Sequence, residues 1–188
     1  MDCVFARAGR ALRLRSVPGR IWGARGGVEL CITEEAAGDW VTRFVATSPH
    51  FDRQLVLFGH RSARAESRAA PHTHGIRTGD RHFDERVHVA GNQAIAIALL
   101  NEDTRRSVER LVGEGAEVRD GELRLELAGR LAADRLIALA EECFVAAKGM
   151  SRVEGDVAET LVANAHREPN PLVRRRNLQI LAFTVDCG

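Results

Sequence analysis

The sequence predicts an α+β fold: an antiparallel sheet or meander packed with helices, followed by a C-terminal helix pair. Three observations carry this. Apolar residues alternate with polar ones through the first half of the chain, as in half-buried strands. After Gly91 the apolar spacing becomes helical. A hairpin signal, Asp120-Gly121 between alternating runs, then interrupts the helical region.

In chain order, "ALRLRSV" alternates Leu12 and Leu14 with Arg13 and Arg15, which is strand periodicity, and stops at the turn pair Pro18-Gly19. "GARGG", Gly23 to Gly27, reads as a hairpin loop. "GGVELCITE" places Val28, Leu30 and Ile32 on one face and Glu29, Cys31 and Thr33 on the other. "DWVTRFVAT" and "RQLVLFGH" are further short strands. Residues 61–79 carry almost no large apolar side chain and read as an exposed loop. A strand is expected next, with Phe83, Val87 and Val89 inward and His82, Asp84, Arg86 and His88 outward.

Asn92 to Leu100 reads as a short helix, and Asp103 or Thr104 as the cap of a second one that turns Val108, Leu111 and Val112 inward. After the Asp120-Gly121 hairpin, with Leu123, Leu125 and Leu127 alternating, comes the longest helix. Its apolar face holds Leu131, Leu136, Leu139, Ala140, Phe144 and Ala147, and Gly149 is its expected C-terminal cap. Residues 1–150 form the α+β domain in this reading, and residues 151–188 a helical hairpin.

Composition narrows function. The chain has 188 residues, with 27 Lys plus Arg against 26 Asp plus Glu, so no global field draws in nucleic acid or an anionic membrane. Lys148 is the one lysine among the basic residues, a bias that codon usage in a GC-rich genome explains. Cys3, Cys31, Cys143 and Cys187 form no C-x-x-C pair, which argues against a zinc knuckle. A Cys3–Cys187 disulfide stays open, while a reduced, cytoplasmic chain is the simpler reading. No apolar run reaches the roughly 20 residues of a membrane span. The first 27 residues carry six arginines and one acid, Asp2, a pattern shared with organellar transit peptides, but the Leu12–Arg15 alternation speaks for structure instead.

The chemistry-bearing stretch is "PHTHGIRTGDRHFDERVHV", Pro71 to Val89. His72, His74, His82 and Asp84 are of the types and number that hold zinc, provided the loop folds back on the strand. His82 and His88, six residues apart on a strand, would stand roughly 20 Å apart and cannot share one ion. The bland reading of the same residues is a polar loop and the wet face of a strand. In it, Gly79 supplies a positive φ, Asp80 accepts backbone N–H bonds, Asp84 pairs with Arg86 or an arginine of a neighbouring strand, and Phe83 enters the core. No G-x-S-x-G elbow and no G-K-[ST] phosphate loop is present.

In the C-terminal stretch, Val157, Leu161 and Ala165 line a first helix, and Val173, Leu178, Leu181 and Val185 a second. Of the run Arg174-Arg175-Arg176, one arginine is expected over the preceding helix, paired with Glu159 or Glu168. Here "EPNPLVRRRNLQIL" resembles the second helix of a HEAT-type repeat, with Val173 and Arg174 matching its V-R pair. Such repeats bury their faces by stacking, so Leu161, Leu178 and Leu181 are expected against Leu136, Leu139 and Phe144 or against a second chain. The stretch upstream resembles an uncharacterised bacterial α+β domain family through its G-D-x-x-F-D strand entry, formed by Gly79, Asp80, Phe83 and Asp84. That resemblance implies a fold and no activity.

The functional expectation is a non-catalytic, cytoplasmic binding or scaffold protein. It has no cofactor, and its partner is another protein or a second copy of itself. The alternative is a metal-binding protein or metal-dependent enzyme built on His72, His74, His82 and Asp84.

Overall fold

A computed structural model describes residues 4–60, 75–151 and 156–186. The predicted α+β architecture is present: an eight-stranded antiparallel sheet with helices packed on it. In chain order the elements are α1 (Val4–Leu12), β1 (Arg15–Val17), β2 (Arg20–Arg25), β3 (Val28–Ala37), β4 (Asp39–Thr47), β5 (Val56–Gly59), α2 (Arg81–Asp84), β6 (Val87–Ala90), α3 (Gln93–Leu99), α4 (Glu102–Gly113), β7 (Glu117–Arg119), β8 (Glu122–Ala128), α5 (Ala133–Met150), α6 (Val157–Arg167) and α7 (Pro171–Asp186).

The strand order is β1-β2-β3-β4-β8-β7-β5-β6. The first four strands form an antiparallel meander, but not with the expected members, since Arg20–Arg25 supplies a strand that the sequence reading does not give. β8, not β5, then lies beside β4, with Phe44 opposite Leu125. The β7–β8 hairpin turns at Asp120 (φ 55°) and Gly121 (φ 80°), the two positive φ values of a type I′ turn. Alternation decides the two faces. Ile21, Leu30, Ile32, Phe44, Leu123 and Leu125 are buried under α1, α4 and α5. The opposite face carries charged side chains in cross-strand pairs, with Arg43 between Glu35 (3.3 Å) and Glu126 (2.6 Å). Exposed pairs of this kind contribute less than about 1 kcal/mol each.

Several local expectations are corrected. "ALRLRSV" is not one strand. Phe5, Ala8 and Leu12 are spaced to bury one helical face, so α1 runs to Leu12 and β1 starts at Arg15. The helix is stopped by a Schellman motif: Leu14 N–H donates to Gly9 O at 2.9 Å and Arg13 N–H to Arg10 O at 3.2 Å, with Arg13 left-handed at φ 57°. "GARGG" is mostly strand, because Ala24 and Arg25 pair with Glu29 and Val28 and only Gly26-Gly27 turn. The cap of α4 is Asn101, whose side chain accepts from Thr104 N–H, and not Asp103 or Thr104. Gly149 lies inside α5, which runs on to Met150.

The C-terminal helices form a second, smaller apolar cluster. Leu161 of α6 and Ile180 of α7 meet Ile97 and Ala98 of α3. The expected packing of Leu178 on Leu136, Leu139 and Phe144 does not occur. Leu178 is exposed, since the buried face of α7 runs through Val173, Asn177 and Ile180 instead. Cys31 and Cys143 are free thiols, whereas Cys3 and Cys187 lie outside the described residues.

Candidate functional site

The G-D-x-x-F-D stretch builds a compact knot ahead of β6 and is not itself part of the strand. Asp80 caps the one-turn helix α2, its side chain accepting from Phe83 N–H at 3.3 Å. Asp84 folds back. Its Oδ1 accepts from Thr78 N–H (2.9 Å) and Thr78 Oγ1 (2.8 Å), and its Oδ2 from Gly79 N–H (3.1 Å). An extended strand cannot close this ring, so the strand begins only at Val87. Phe83 is buried in the main core, as the bland reading expects. Gly79 has φ +92°, and a Cβ there would stand 2.9 Å from Leu172 O, so α7 starts directly against this turn. The turn is thus both a closed loop and a seat for the C-terminal helices.

Arg105 ties the parts together. Its guanidinium is 4% exposed and meets four acceptor atoms on three residues: Asp80 Oδ2 through Nε (3.3 Å), Leu100 O through Nη1 (2.8 Å), and both oxygens of Glu168 through Nη2 (3.0 and 2.9 Å). Glu168, 2% exposed, sits in the link between α6 and α7. Its backbone carbonyl accepts from Arg174 Nε (3.2 Å) and Nη2 (2.9 Å). The arginine expected over the preceding helix is therefore Arg174. It binds the Glu168 carbonyl, because the carboxylate is already held by Arg105. Arg176 Nε donates to Arg77 O at 3.2 Å, back on the knot.

Of the residues with metal-ligand chemistry, His72 and His74 lie outside the described residues. His82 Nδ1 is 2.9 Å from Glu109 Oε1, while Asp84 is buried and occupied by Thr78 and Gly79. The two belong to one helical turn but serve different partners. Asp84 does not pair with Arg86, which joins His82 on Glu109. Among the described residues, no group of three or more His, Cys, Asp or Glu is placed to hold a metal ion.

Beside His82, α4 and α5 border a groove of about 640 Å³ lined by Arg86, Arg106, Arg110 and Arg135. Each arginine is already paired: Arg86 with Glu109, Arg106 with Glu102, Arg110 with Glu142 and Arg135 with Glu114. On the open face of the sheet, His88 stacks on Phe58 at 4.7 Å and meets His60 edge-on at 6.1 Å. Burial, then the charges of His60 and Arg77, holds the His88 imidazole below its ordinary value. Burial, aided by Glu142, pushes the Cys143 thiol up to about 12, which leaves it protonated and unreactive at neutral pH.

Apolar side chains remain uncovered on α7: Leu172 is 59%, Leu178 51% and Phe183 70% exposed. Leu172 and Phe183 are about three turns apart and share one strip, with Leu178 on the other flank of the buried face. Sequence periodicity missed this because it placed Leu178 inward. It also missed Arg105, although a signal existed: Arg105 precedes Val108 and Val112 at the i, i+3, i+7 spacing of a buried face. Comparison with family models, with curated proteins and with solved structures finds no match for this chain. Among the described residues, no helix is long and apolar enough to cross a membrane.

Proposed function

We propose that this chain is a non-catalytic, cytoplasmic binding or scaffold module whose C-terminal helices contact a protein partner or a second copy of the chain. The observation that carries this reading is the exposure of Leu172, Leu178 and Phe183 on one helix, beside a body whose arginines and carboxylates are largely consumed in mutual pairs. Apolar side chains that share one exposed strip, as Leu172 and Phe183 do, mark interaction sites more often than isolated ones do. The likeness of α6–α7 to a HEAT-type unit supports the same reading, since such units bury their faces by stacking on a neighbour.

The test starts with sedimentation equilibrium of the purified chain and of a Leu172→Ser/Phe183→Ser variant. Concentration-dependent association that the variant loses supports self-contact. If the wild type is monomeric, a photo-crosslinker at position 183, used in the native host, should capture one protein. The purified pair should then bind, with affinity at least about tenfold weaker for the double variant. A monomer that yields no such protein, or a chain purified with one zinc per molecule that His72→Ala/His74→Ala loses, overturns the proposal.

A further inference from the structure

The joint between the C-terminal helices and the body differs in kind from the core. The core under the sheet is apolar and continuous from Phe5 to Met150. The joint has the small cluster of Ile97, Ala98, Leu161 and Ile180, edged by Ile76, Ala94, Val157 and Leu181, and polar contacts run through it as well. Asn164 Nδ2 donates to Ala98 O at 2.7 Å, and Arg176 reaches Arg77 O. Asn177, buried on α7, donates to Val173 O, while its Oδ1 has no partner among the described protein atoms. At the centre, the Arg105–Glu168 pair is almost wholly removed from solvent.

A buried ion pair has a characteristic balance. Desolvation of both charges offsets most of their attraction, so the pair adds little net stability over an apolar contact of similar volume. Its directionality is nevertheless strict, and removing one partner strands the other charge in a dry site. A joint built this way fixes one orientation firmly and separates more readily than the core does. We propose that α6 and α7, with the link that carries Glu168, form a unit that opens independently of the sheet body, and that Arg105 is the latch that holds it closed. Arg105 acts as a positioning residue: through Asp80 and Leu100 it is anchored on the body, and through Glu168 it sets the pose in which α7 displays Leu172 and Phe183.

Amide hydrogen exchange on the full chain tests the latch without reference to any partner. In Glu168→Gln, which keeps the shape and removes the charge, the amides of α6 and α7 should exchange at least about tenfold faster than in the wild type, while those of β3, β4 and β8 keep their rates. Arg105→Met should show the same regional pattern from the other side of the pair. If Arg105→Met does not fold, Glu168→Gln and Arg105→Lys carry the test, both expected to loosen the hairpin alone. Equal acceleration in sheet and hairpin would make the pair an ordinary part of one cooperative core and overturn the proposal. Unchanged hairpin exchange in the folded variants would overturn it as well. Neither result touches the exposed strip on α7, so the latch and the partner reading fail separately.

Discussion

Gly149 of α5 lies so close to Thr104 of α4 that a Cβ at position 149 would stand 2.1 Å from Thr104 Oγ1 and 2.9 Å from its Cγ2. The two longest helices of the body therefore touch backbone to side chain at this crossing. Gly149→Ala should cost about 1–3 kcal/mol, the usual range for forcing atoms into a packed site. Its better helix propensity returns only about 1 kcal/mol. In a double-mutant cycle by urea denaturation, Thr104→Ala should relieve part of the cost. Strict additivity would show that the two residues do not collide.

On α7, two neighbouring positions should behave oppositely. Leu178→Asp should change stability by less than about 1 kcal/mol, because half of the side chain is already in solvent. Ile180→Asp, placing a charge against Ile97, Ala98 and Leu161, should cost several kcal/mol. Thermal denaturation of the two variants decides the register of this helix. A Leu178 variant that melts as early as the Ile180 variant would refute it.

The chain leaves α1 through a left-handed arginine, Arg13, at a position that favours glycine. Non-glycine residues cost about 1–2 kcal/mol in that conformation, and the greater backbone freedom of glycine in the unfolded chain offsets part of the gain. Arg13→Gly should therefore raise stability, by about 0.5–1 kcal/mol in chemical denaturation. A loss would mean that the Arg13 side chain makes a contact worth more than the strain.

That same residue shows where the sequence was readable and where it was not. The β3–β4 strands, the Asp120-Gly121 hairpin, the α3 helix capped at Asn92 and the long α5 follow from period and turn chemistry, which are local. α1 was hidden as a whole, because Leu12 and Leu14 alternate with Arg13 and Arg15 and its stop signal stands on an arginine and not a glycine. α2 was hidden because the ring from Asp84 to Thr78 and Gly79 is made by side chain–backbone bonds that no periodicity encodes. The Arg105–Glu168 pair joins positions 63 apart, so neither residue's neighbours in sequence announce the other. Residues 61–74, which include much of the expected exposed loop, lie outside the described residues.

His88 should give stability a pH dependence of definite sign. Burial, together with the positive charges of His60 and Arg77, favours its neutral form in the folded chain, so its folded pKa lies below the ordinary 6.5. Between the two values the unfolded chain binds a proton that the folded chain refuses, and stability rises with pH. The contribution is complete above about 6.5, falls as the pH drops through that value, and levels off below the folded pKa. Urea midpoints of the wild type and of His88→Gln, compared at pH 8 and pH 5, should show a smaller acid loss in the variant. Equal losses would remove His88 from the account.

The order of the strands also governs how the molecule is made. β4 pairs along its whole length with β8, Val41 with Ala128 and Thr47 with Glu122. During synthesis the N-terminal meander emerges first, and its inner edge, with Phe44 and Ala46 on the core face, has no mate until the ribosome has added some eighty residues more. The unpaired donors and acceptors of that edge are a template for the wrong neighbour throughout the interval. The sheet cannot close across β4 until the β7–β8 hairpin arrives, and until then the open edge is where a nascent chain can mispair.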